Sequence, residues 1–149
     1  MEVAAQSGLE ALRAELAAVW PGARVSALSP IPDSHSGFTY SVLGEVEGKE
    51  VPAVLRLPPP GARPLGPADV ARQARIMEAL RRAGLPAPHI LASSPDPVLG
   101  GRPFVLMERV EGIRIEEAVK TASPRELVSK AFAVIRRVHG ALSGAPAAE

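Results

Sequence analysis

Two polar residues stand where the surrounding pattern asks for apolar ones. In VPAVLRL (51–57), strand alternation puts Val51, Ala53, Leu55 and Leu57 on one face and Val54 and Arg56 on the other. On the helical stretch after Asp69, Val70, Met77 and Leu80 form a stripe that Gln73 interrupts. A guanidinium is a charged fork suited to bidentate binding of phosphate, and a primary amide carries both a donor and an acceptor. Buried, either group is costly without partners. Each alone has a plainer role, Arg56 snorkelling to solvent and Gln73 satisfying a backbone group. Together, a cation in the third strand and a polar residue on the following helix form a recurring constellation. A third feature is PFVLMERVEG (103–112), in which a strand runs into an acidic segment set with apolar residues instead of ending in a turn.

Other chemistry is hard to place. The chain has no cysteine, which excludes a disulfide scaffold and a thiolate metal site. Its three histidines lie far apart without ligand spacing, so no metal site is expected. The 17 basic and 16 acidic residues are interspersed and leave a formal charge of +1. With no basic block and only one Trp, one Tyr and three Phe, stacking platforms for nucleic acid are not expected. Neither a signal peptide nor a transmembrane helix is visible, so a cytoplasmic protein without membrane contact is expected. Arginine far outnumbers lysine and alanine and proline abound, a composition that suggests a GC-rich bacterial genome.

The elements that must position these residues follow from local signals. Ser7–Trp20 reads as a helix with an S-x-x-E capping box at Ser7 and Glu10, stopped by Pro21-Gly22. Strands are expected at Arg24–Ile31, 38–46 and 51–57, with a hairpin turn around Gly48 and an end at the triple proline 58–60. Asp69 caps a helix to about Ala83, with Gly84 as its stop. HILASS (89–94) and PFVLMERV (103–110) read as short strands flanking the turn-rich SPDPVLGGR. Ser123 and Glu126 form a second capping box, opening a helix with Leu127, Ala131, Val134, Ile135 and Val138 on one face. The expected fold is α+β, an antiparallel sheet of about five strands covered by a helix, with further helices at each end.

The segments SGFTYSV, AVLRLPPPG, DVARQARIMEALRRAGLPAPHIL and VLGGRPFVLMERVEG, in this order and spacing, resemble the N-terminal lobe of aminoglycoside phosphotransferase-like kinases, which share the protein kinase-like fold. The resemblance runs from about Leu9 to Leu142. It implies an N-terminal helix (1–22), a kinase-like lobe (23–112), and a linker and C-terminal helix (113–149). The implied ligand is ATP: Arg56 would contact the nucleotide phosphates, oriented by Gln73, and Val54 would lie against the adenine. Met107 would sit at the back of the pocket. The carbonyl of Glu108 would accept from the adenine amino group and the N–H of Val110 would donate to the ring. Ser34, His35, Ser36 and Gly37 would occupy the phosphate-facing loop.

This sequence departs from the family pattern in several places. Asp33 puts a negative charge into that loop, Gln73 stands where a glutamate is common, and Arg56 replaces a lysine. The family's catalytic His-Gly-Asp, with its Asn and its later metal-binding Asp, belongs to a second lobe expected to be absent from this chain. His139-Gly140 is followed by Ala141, and no Asp occurs after Asp96. No catalytic residue is therefore assigned, and magnesium is expected only alongside a complete second lobe. The rival reading is a non-catalytic protein-interaction module derived from that lobe. Partners implied are an adenine nucleotide, a missing lobe or partner chain, and a second copy in a homodimer.

Overall fold

The computed structural model describes residues 2–32, 38–113, 115–120 and 122–143. The loop holding Asp33, Ser34, His35, Ser36 and Gly37 lies outside the described residues. The chain forms α1 (Glu2–Val19), β1 (Ala23–Pro30), β2 (Phe38–Val46), β3 (Lys49–Leu57), a 3₁₀ turn (Gly66–Ala68) and α2 (Val70–Arg82). Then come β4 (Ile90–Leu99), β5 (Arg102–Glu108), α3 (Ile115–Ala118) and α4 (Pro124–Ser143). Among the described residues there is one five-stranded sheet, in the order β1-β2-β3-β5-β4 with every pair antiparallel. This is the α+β architecture of a kinase-like N-terminal lobe.

A helix covers each face. The inner side of α1, with Leu12 and Leu16, and Trp20 just beyond its end pack on Val42, Leu55 and Phe104. On the opposite face α2 brings Val70 and Ala74 against Val105 and Met107. The alternation of β3 is as the pattern requires: Ala53, Leu55 and Leu57 are buried under α1, and Val54 and Arg56 point to the other side. The β2–β3 turn places Glu47 and Gly48 at φ 51° and 73°, the left-handed pair that suits a two-residue hairpin. Leu57 is the last residue of β3, and the three prolines follow it.

Three boundaries differ clearly from the local reading. Helix α1 begins at Glu2, so Ser7 lies inside it and does not cap it; the alanine-rich start carries the helix past the capping signal. Strand β4 continues through Pro95 and Pro97 to Leu99, which the sheet tolerates because β4 is an edge. Its turn is confined to Gly100 and Gly101, at φ 57° and 65°. Strand β5 stops at Glu108, so Arg109 and Val110 leave the sheet although Arg109 N–H still donates to the Pro52 carbonyl at 3.0 Å. The short α3 had no signal of its own. Among the described residues no helix is long and apolar enough to cross a membrane.

Candidate functional site

Arg56 and Gln73 meet. Arg56 Nη1 donates to Gln73 Oε1 at 2.8 Å, and Gln73 Nε2 donates to the Pro67 carbonyl at 2.8 Å. Both side chains are half-buried at the rim of the small core under α2. Burial pushes the Arg56 guanidinium below its ordinary pKa, yet a guanidinium stays charged near neutrality. The two roles open to Gln73 are thus filled together: it satisfies a backbone carbonyl and it holds the arginine.

Local structure explains why they meet. Asp69 accepts from Arg72 N–H at 2.9 Å and caps α2, which fixes the rotation of the helix about its axis. Val70, Ala74 and Met77 then turn inward, and Gln73 falls on the side facing β3. At the other end Gly84, at φ 74°, receives the chain in a Schellman motif. Leu85 N–H bonds Leu80 O at 3.0 Å, Gly84 N–H bonds Arg81 O at 2.9 Å, and Leu85 is buried.

Helix α2 packs on β4 and β5 and reaches β3 at Val54 and Arg56; among the described residues, no helix packs across the same face of β1 and β2. Cross-strand register identifies what lines this face. Thr39 lies opposite Arg56, Ser41 opposite Val54, and Leu43 opposite Pro52. Along this face the pairs run from Glu45 and Glu50 at the hairpin, through Leu43 and Pro52, then Ser41 and Val54, to Thr39 and Arg56, so the stretch beside Pro52 and Val54 is less polar than the end that carries the cation. That less polar stretch adjoins the end of β5, where Ala53 pairs with Glu108. From Ala53 to Arg56 the strand advances about 10 Å.

The end of β5 is held firmly. Glu108 N–H donates to the His89 carbonyl at 2.9 Å, and its carboxylate accepts from His89 N–H at 2.9 Å and lies 3.6 Å from Arg81. Both the side chain and the N–H of Glu108 are thus engaged by His89. Met107 is buried against α2, and Val110 is exposed just beyond the strand. Of the residues expected at the site, Val54, Arg56, Gln73 and Met107 share the α2 face, with Glu108 and Val110 at its edge.

Two further features escaped sequence reasoning. Gly44, inside β2, lies beneath the Trp20 ring, and a Cβ there would stand 2.3 Å from ring carbons. On that same face a groove of about 500 Å³ runs between α1 and the sheet, lined in part by Leu9, Leu12, Phe38, Tyr40 and Arg102. The Arg102 guanidinium lies over the Phe38 ring, 5.0 Å from its centroid, and donates to the Pro58 carbonyl at 3.3 Å. This groove is on the side of the sheet away from Arg56.

Compared with protein families, residues 27–148 match the family model described as the phosphotransferase enzyme family. No curated protein matches the chain.

Proposed function

Because the chain belongs to the phosphotransferase enzyme family, we propose that it is the nucleotide-binding lobe of a small-molecule kinase and takes ATP on the face of β1–β3 that carries Val54 and Arg56. One observation carries the reading: the change of polarity along β3, less polar beside the end of β5 and cationic where Gln73 holds Arg56. That layout suits a purine at one end and a phosphate chain at the other. Val54 would lie under the base, and the Glu108 carbonyl and Val110 N–H would read its edge. Arg56, kept in place by Gln73, would bind phosphate oxygens through its fork of N–H donors. ATP supplies the phosphoryl group in the family reaction, whose acceptor here is a small-molecule hydroxyl.

These residues bind and orient; they do not provide the acceptor side. Phosphoryl transfer requires a carboxylate to position the attacking hydroxyl and carboxylates to hold magnesium. No aspartate follows Asp96, and no acidic residue lies between Glu126 and Glu149. The chain by itself is therefore expected to bind nucleotide without turning over. Incubation with ATP, magnesium and a panel of alcohols and aminoglycosides should give no multiple turnovers; sustained turnover by the pure protein would mean a catalytic group has been missed.

The binding test is titration with ATP, followed by calorimetry and by chemical-shift mapping. Shifts at Val54, Arg56 and Val110 that vanish in Arg56→Ala are expected. The absence of any response at millimolar ATP would defeat the proposal. It would favour the second reading, a non-catalytic interaction module, which has one observation behind it: Phe132 and Ile135 on α4 stand exposed to solvent.

A further inference from the structure

We propose that Gln73 is a positioning residue that ties the β3–α2 connection to Arg56, and that a primary amide is required for the tie. Its two partners differ in kind. Arg56 Nη1 is a donor and needs an acceptor, whereas the Pro67 carbonyl is an acceptor and needs a donor. The amide of Gln73 carries one of each on a single side chain, and both bonds measure 2.8 Å. Pro67 is the middle residue of the 3₁₀ turn, whose own bonds run from Ala68 N–H to Leu65 O and from Asp69 N–H to Gly66 O, each at 3.2 Å. Asp69, at the end of that turn, is the residue that caps α2. One side chain thus joins the cation of β3 to the turn that launches the helix on which it sits.

The chemistry of replacement follows. A carboxylate at position 73 would hold Arg56 more strongly, through a charge-assisted bond. It would also set a negative oxygen against the Pro67 carbonyl, two acceptors with no proton between them, and the turn would be released. A thioether of similar length would hold neither partner. An anion arriving at Arg56 competes with Gln73 for guanidinium protons, so binding at the strand is felt at the turn, and the coupling is reciprocal. This last step rests on the nucleotide reading; the tie itself does not.

The experiment uses the whole chain as wild type, Gln73→Glu and Gln73→Met, with and without sodium tripolyphosphate. Amide hydrogen exchange at Ala68 and Asp69 is expected to be about tenfold faster in both variants, the effect of losing one bond of ordinary strength. The Arg56 side-chain N–H resonance should move in Gln73→Met. In the wild type, saturating tripolyphosphate should change protection at Ala68 and Asp69, and in Gln73→Met it should change neither. Tripolyphosphate should bind Gln73→Glu about tenfold more weakly than the wild type, because the carboxylate competes for Arg56. Wild-type exchange rates at Ala68 and Asp69 in either variant would overturn the tie. Faster exchange in both variants, together with no wild-type response to tripolyphosphate, would keep the tie and remove the nucleotide reading.

Discussion

Beneath the Trp20 ring, β2 has room for a hydrogen and nothing larger. A methyl group at Gly44 would stand 2.3 Å from two ring carbons, so either the indole or the strand must shift. Gly44→Ala is expected to destabilise the fold by about 1–3 kcal/mol, the usual range for overpacking. A urea titration checks this as a lower midpoint at unchanged slope; a wild-type midpoint would show that the ring moves aside freely. A single sequence carries no sign of this contact, because a glycine in a strand does not reveal what lies above it. Arg56 and Gln73 were legible for the opposite reason, since each breaks an apolar period that is itself visible. The hydrogen bond from Gln73 to Pro67 was hidden, because the path of a Pro/Gly loop has no periodicity to read.

Helix ends were the most legible elements, and they carry their own tests. Asp69 and Ser123 act as caps, Gly84 closes α2, and Ser123 and Glu126 bond reciprocally at 3.0–3.3 Å. Ser123→Ala should cost about 1 kcal/mol of helix stability, seen as lost far-ultraviolet ellipticity well before the main unfolding transition. Gly84→Ala should cost about 1–2 kcal/mol, because an L side chain resists the left-handed conformation at φ 74°. These signals were readable because capping is local chemistry. The start of α1 and the far half of β4 were not, since neighbours decided both: helix propensity ran past Ser7, and β4 resumes its pairing with β5 at Leu99, beyond an irregularity that holds both prolines.

Helix α4 carries much of its apolar surface toward solvent among the described residues. Its described tie to the lobe is Arg137, which donates to the Gly84 carbonyl at 3.3 Å. Phe132 and Ile135 are 59% and 60% exposed, and Val128 and Val134 are exposed beside them. Burial contributes roughly 25 cal/mol per Å² of apolar surface, so this side of α4 favours association. Self-association is expected in light scattering across a concentration series, and the double variant Phe132→Asp, Ile135→Asp should return a monomer. A wild type that stays monomeric at high concentration would count against it. The packing of Trp20 on Gly44 has an optical consequence as well. It is the one tryptophan in the chain, and it lies on the opposite side of the sheet from Val54 and Arg56. Its fluorescence should therefore stay flat in a titration with ATP if the nucleotide takes the proposed site. After rapid mixing into denaturant, the same emission would time the undocking of α1.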